Sequence, residues 1–201
     1  MPPVTRIQKQ DILEAAYQIA RIDGLEAVNA RAIAKRLNCS IQPIFHKFSN
    51  MQELKNELLE KIINTYRQYM TEGINKEHKY KQMGLGYIKF AKDEPKLFKI
   101  IFMTETKLSP ENFVTYDKSF TDIEKYAGIA TQLNSEETKK FHIKMWIFTH
   151  GIATLVANNT CKFSDEQISN LLTEEFNALM KLQEFKGEMS NETNATNKRP
   201  N

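Results

Sequence analysis

Apolar residues recur at spacings of three and four along most of this chain, and no stretch convincingly alternates apolar with polar residues as a half-buried strand would. Ile12, Leu13, Ala16, Ile19 and Ala20 form one stripe. Met51, Leu54, Leu58, Ile62, Tyr66 and Tyr69 form a second. Phe141, Met145, Phe148, Ile152 and Leu155 form a third, and Ile168, Leu171, Leu172, Phe176, Leu179 and Met180 a fourth. Side chains at that period lie on one side of an α-helix, and that side needs another surface to cover it. The expected fold is all-α: an N-terminal three-helix module followed by a helical C-terminal domain. With 201 residues, the chain can bury a core without disulfide staples.

Punctuation along the chain divides these stripes into helices. The first is expected over about Thr5–Asp23, with Gly24 suited to a left-handed C-terminal cap. Asn29 has the N-cap chemistry for a short helix carrying Ile33, Ala34 and Leu37. Asn38 follows at the exit, and asparagine tolerates a left-handed backbone better than most residues. Ser40 is the candidate N-cap of the next short helix, with Pro43 in its first turn and its end near His46 or Lys47. Asn50 with Glu53 resembles a capping box opening a long helix to about Thr71. Further helices are expected around Lys79–Lys92, after Pro95 to about Thr104, from Pro110, over Ser135–Asn158 and over Ser164–Phe185. Ser164 with Gln167 makes another capping box. The last residues are polar and without apolar periodicity. The expected division is a first module over 1–50, a connecting helix over 51–72, a second domain over 73–185 and a disordered tail over 186–201.

Net charge is only +3, but its distribution is uneven. Between Ala27 and Gln52 stand four cations, Arg31, Lys35, Arg36 and Lys47, and no acid. That interval holds the two short helices and the turn between them. Two short helices packed on a first one, joined by a tight turn, make a helix-turn-helix. Its second helix enters the major groove of DNA with its N-terminal residues nearest the base edges. Here those residues are Ser40, Ile41, Gln42 and Pro43. Gln42 has the paired donor and acceptor that match adenine, and Ile41 or Pro43 suits a thymine methyl. Ser40 and Lys47 are better placed for phosphate; Arg31, early in the preceding helix, can reach phosphate or a base.

The segment Ile33-Ala34-x-x-Leu37-Asn38-Cys39-Ser40-x-x-x-Ile44-Phe45-His46-x-Phe48-x-Asn50-x-x-x-Leu54 resembles the helix-turn-helix of the tetracycline-repressor (TetR) family. Ile12-Leu13-x-Ala15-Ala16 and Gly24 are similar to the family's opening helix, so the resemblance covers roughly Gln8 to Leu59. It adds Phe45 and His46 to the expected DNA contacts. Three positions depart from the family's pattern. Asn38 stands where glycine is usual. Phe45 replaces a tyrosine and lacks its hydroxyl. Met51 stands where a phosphate-binding lysine or arginine is common, with Lys55 one turn later on the same face. The N-terminus of the helix after Asn50 also offers backbone donors to phosphate.

A looser resemblance to one subgroup of TetR C-terminal domains rests on two runs. These are Phe90-Ala91-x-x-x-Pro95-x-Leu97-Phe98-x-x-Ile101-Phe102 and Trp146-x-x-x-His150-Gly151-x-x-x-Leu155. It implies a homodimer through the last two helices, about 135–158 and 164–185, and an effector site. Tyr87, Phe90, Phe98, Phe102, Met103, Met145, Trp146 and His150 are the residues expected to line such a site for an apolar or aromatic molecule. The same side chains also suit an ordinary core. Repression rather than activation is what the resemblance implies.

Other classes find less support. No HExxH, GxSxG, P-loop or GxGxxG motif occurs, and His142 and His150 are too far apart along a helix to share a metal. No enzyme activity, cofactor or metal is expected. No basic-then-apolar leader opens the sequence, its apolar runs are too short to span a bilayer, and Cys39 and Cys161 form no CxxC pair. The expectation is a soluble, cytoplasmic protein with reduced thiols and no membrane partner. The alternative is a dimeric small-molecule-binding or interaction protein that has lost DNA binding, to which Phe45 and Met51 give weight.

Overall fold

The computed structural model describes residues 7–72, 78–104 and 119–196. Among them the chain is helical and contains no strand. The helices are α1 (Lys9–Asp23), α2 (Ala30–Arg36), α3 (Gln42–Lys47), α4 (Met51–Thr71), α5 (Lys79–Asp93), α6 (Pro95–Phe102), α7 (Ser119–Thr131), α8 (Ser135–Ala157) and α9 (Asp165–Thr196). The helix expected from Pro110 lies outside the described residues.

Local chemistry sets most of the boundaries. Ile7 and Gln8 are not helical, so α1 begins at Lys9 rather than near Thr5, which itself lies outside the described residues. Its box is built from Gln8, whose backbone N–H donates to Asp11 Oδ2 at 2.7 Å. Gly24 closes α1 with its N–H on Ala20 O, but at φ 90° and ψ 173° it is extended, not left-handed helical. Only glycine takes that backbone cheaply. Ser164 and Gln167 form the full capping box, Gln167 N–H to Ser164 Oγ at 3.1 Å and Ser164 N–H to Gln167 Oε1 at 2.8 Å. Downstream, α9 runs on to Thr196, past the expected end at Phe185 and into the segment expected to be disordered. Adding one residue to an existing helix requires no new nucleus, so a polar stretch without Pro or a strong stop can continue one.

The chain divides into two compact units. One comprises Met1–Glu72, Gly86–Lys107 and Ala153–Cys161; the other comprises Gly73–Leu85, Leu108–Ile152 and Lys162–Asn201. In the first, α1 packs against α2, α3, α4 and α6. Ile12, Ala16, Ala20, Ile33, Ile44, Leu54, Leu58 and Ile62 are buried between these helices. Each fully buried aliphatic side chain contributes about 1.5–3 kcal/mol. Further along α4, the Tyr66 ring meets Tyr87, Phe90 and Phe102 at centroid distances of 6.0, 5.6 and 5.2 Å. Gly86 makes that crossing possible: a Cβ there would lie 2.3 Å from the Tyr69 carbonyl oxygen. The Arg21 guanidinium reaches Glu94, with Nε to Oε2 at 2.7 Å and Nη2 on Oε1, joining α1 to the junction of α5 and α6.

In the second unit, Tyr80, Phe141 and Phe176 pack their rings together. The Tyr80 hydroxyl bonds His142 Nδ1 at 2.9 Å. Burial pushes the Tyr80 phenol far up and His142 down to about 4.

Candidate nucleic-acid interface

The turn between α2 and α3 follows from its caps. Asn29 Oδ1 accepts the Ala32 N–H at 3.0 Å and starts α2. At the other end Asn38 has φ 50°, the left-handed conformation expected of it. Its N–H bonds Lys35 O at 3.3 Å, and the Cys39 N–H bonds Ala34 O at 3.0 Å. That pair of bonds is a Schellman closure with asparagine at the position glycine most often fills. The chain therefore reverses over few residues without leaving the last carbonyls of α2 bare.

Sequence and structure differ at the start of α3. Ser40 is not its N-cap. Ile41 precedes the helix with φ −75° and ψ −15°, makes no side-chain cap, and its carbonyl accepts the Ile44 N–H at 3.2 Å. With α3 opening at Gln42, Pro43 falls in the first turn, where it sacrifices no helical bond. Burial of Ile44 and Phe48 fixes this register: they are 0% and 1% exposed, against the hub helix α1 in the case of α3.

The same register fixes the outer face. Ile41 and Phe45, one turn apart, are 44% and 46% exposed. Gln42 and His46, also one turn apart, are exposed beside them, as is Ser40 in the turn. Pro43 and Lys47 are half-buried on the opposite flank. On α2, Arg31, Lys35 and Arg36 are exposed, whereas Leu37 is half-buried. On α4, Met51 and Lys55 are half-buried. The N-terminus of α4 is more occupied than its sequence suggests. Asn50 Oδ1 accepts the Glu53 N–H at 2.9 Å, while the Glu53 carboxylate reaches the backbone N–H of Ser49 at 2.7 Å, not that of Asn50. These Ser49 bonds hold Glu53 below the usual carboxylate range, so an anion stands where phosphate would approach.

The eight residues expected to line an effector site fall in different units. Tyr87, Phe90 and Phe98 are buried in the first, with ring centroids of Tyr87, Phe98 and Phe102 at 5.0–5.7 Å from one another. Met103, in the same unit, is 46% exposed. Met145 is buried in the second unit, where Trp146 stacks on His150 at 5.3 Å. Burial lowers the His150 pKa. Sequence spacing missed Gly86 and the Arg21–Glu94 pair. The pair's partners lie 73 residues apart, and no local pattern announces it.

Among the described residues, no group of three His, Cys, Asp or Glu side chains is arranged to hold a metal. No described helix is long and apolar enough to cross a membrane. Cys39 and Cys161 carry free thiols.

A tight helix–turn–helix on a supporting first helix, with an exposed outer face on the second and cations on the first, defines the DNA-binding class of that motif. The model of the tetR family of bacterial regulatory proteins matches residues 12–58, the span of α1 through the first part of α4. The match covers the helix-turn-helix segment, and in that segment the chain is similar to the members of that family. The fold likeness extends further. A transcriptional regulator from Rhodococcus sp. RHA1 superposes with a TM-score of 0.57 at 15% identity, over 87% of this chain and 97% of that one. A TetR-like transcriptional regulator from the same source gives a TM-score of 0.58 at 16% identity, over 88% and 96%. No curated protein matches the chain by sequence.

Proposed function

We propose that this protein is a ligand-responsive transcriptional repressor that binds a palindromic operator as a homodimer. The observation that carries this reading is the outer face of α3, exposed at Ile41, Gln42, Phe45 and His46, within a stretch that has four cations and no acid. Residues 1–50 bind DNA, 51–72 connect, and 73–185 bind the effector and dimerise. Support for a dimer comes from exposed apolar side chains on the last two helices. Ile147 and Leu155 on α8 are 54% and 37% exposed; Leu182 and Phe185 on α9 are 41% and 59% exposed. Exposed large apolar side chains on these two helices are the kind of group that a partner's helices would cover. A two-fold pair of such chains sets its two α3 helices about 34–36 Å apart, one turn of DNA. An apolar or aromatic effector then favours a conformation that no longer matches this spacing.

The test is selection from random duplex DNA by the full chain, followed by a salt titration on the enriched sequence. An enriched palindrome with a steep loss of affinity in salt is expected. Gln42→Ala should relax one base position, and Lys47→Ala should weaken all sequences alike and lower the salt slope by about 1. A folded dimer that enriches no sequence would sink the regulator reading and leave a small-molecule-binding or interaction protein.

A further inference from the structure

We infer that the half-site read by α3 is built from A·T pairs, and that Phe45 acts there as a reader of thymine methyl groups rather than as a phosphate contact. The inference rests on the regulator reading and deepens it. The N-terminal turn and outer face of α3 present Ile41, Gln42, Phe45 and His46. The side chains that read G·C are absent from that turn. Guanine is met most often by a bidentate Arg or Lys, and the cytosine amino group by Asp or Glu. The nearest cations are Arg31, Lys35 and Arg36 on α2, whose helix crosses the phosphate backbone, and half-buried Lys47 at the last position of α3. His46, beside Phe45 and one turn beyond Gln42, offers a single ring edge rather than the paired donors by which Arg or Lys meets guanine.

What remains is one amide and one apolar strip. Gln42 offers the donor and acceptor that adenine matches at N7 and N6. Ile41 and Phe45 lie one turn apart on one flank of α3, and both are nearly half exposed. Among the bases, thymine alone puts a methyl group in the major groove, so an apolar strip discriminates in its favour. Pro43, the other apolar residue of that turn, is half-buried on the opposite flank and drops out of the readout. The absence of any acid from Ala27 to Gln52 makes the flanks complementary to phosphate, so duplex DNA is the occupant that suits this apolar strip.

The experiment uses the full chain on the enriched operator and on copies in which each thymine of the half-site is replaced by uracil, which removes only the methyl. Two T-to-U sites per half-site should each weaken binding about fourfold. Ile41→Ala should bind T and U equally at one of them and Phe45→Ala at the other. Both residues are exposed, and a purely structural effect would shift T and U operators together. No enrichment would remove the regulator reading itself. An enriched half-site with G·C pairs at the α3 positions, or an A·T half-site indifferent to uracil, would overturn this inference and leave the regulator standing.

Discussion

The two units solve burial differently. The interior of the first is mostly apolar side chains and close-set aromatic rings, the Tyr66 and Thr154 hydroxyls among them, and its buried charged residue among the described ones is Glu94, matched by Arg21. The second encloses Thr131, Thr138, His142 and Thr149. Its threonines return their hydroxyls to carbonyls of their own helix or the preceding turn, Thr149 to Met145 O at 2.7 Å and Thr138 to Leu133 O at 3.2 Å. A dry interior derives its uniqueness from shape, so it is sensitive to volume. An interior with a titratable ring is sensitive to protons. The unit that positions α3 should therefore resist pH and fail on overpacking, and the other should do the reverse.

The largest effect expected is from Gly86→Ala. The obstructing atom is a backbone oxygen, which cannot rotate away, so the variant should lose about 3 kcal/mol in denaturant unfolding, the upper end of overpacking. A loss under 1 kcal/mol would mean that α4 and α5 part easily, and the contrast between the units would weaken. Next comes acid. His142 has its folded pKa depressed to about 4 from 6.5 by burial. Its neutral form costs nothing above 6.5, but below that pH the unfolded chain takes up a proton that the folded one does not. Stability is thus complete above about pH 6.5 and falls as pH drops toward 4, by about 2 kcal/mol at pH 5. His150, also lowered by burial, adds in the same direction. Denaturant curves at pH 7.5 and pH 5 check this; His142→Phe should flatten most of the difference, and an unchanged slope would place the acid sensitivity elsewhere.

Arg21→Ala should cost less, about 1–2 kcal/mol. It strands a buried carboxylate, yet the arginine itself is nearly half exposed and screened. Arg21→Lys, with one donor head in place of a fork, should recover only part. The smallest effect, about 1 kcal/mol, belongs to Asn38→Ala, which puts a Cβ without a polar tip into the left-handed region. Asn38→Gly should hold or raise the melting temperature.

Much of what depends on near neighbours was legible in the sequence, though the Gly24 conformation and the Ser49 partner of Glu53 were not. Asn29, Asn38 and the Ser164–Gln167 box all act within five residues, and the structure uses each as its chemistry implies. The start of α3 was not legible: serine is the better cap in isolation, but burying Ile44 and Phe48 decides where a six-residue helix begins. Nor could spacing separate the aromatic residues that pack as core from those free to meet a ligand. Tyr87, Phe90 and Phe98 share the periodicity of both, and their ring contacts with α4 and α6 could not be read from spacing.

The contact at Gly86 also limits how this molecule can move. With a backbone oxygen filling the place of its side chain, α5 meets α4 at one register, because the residues a turn away on the same face of α5, Met83 and Phe90, carry a Cβ that could not take the same seat. Sliding, which needs interchangeable positions along both surfaces, is closed to this pair. The crossing is thus held by shape at one place, where the Tyr69 carbonyl oxygen occupies the seat of a missing side chain.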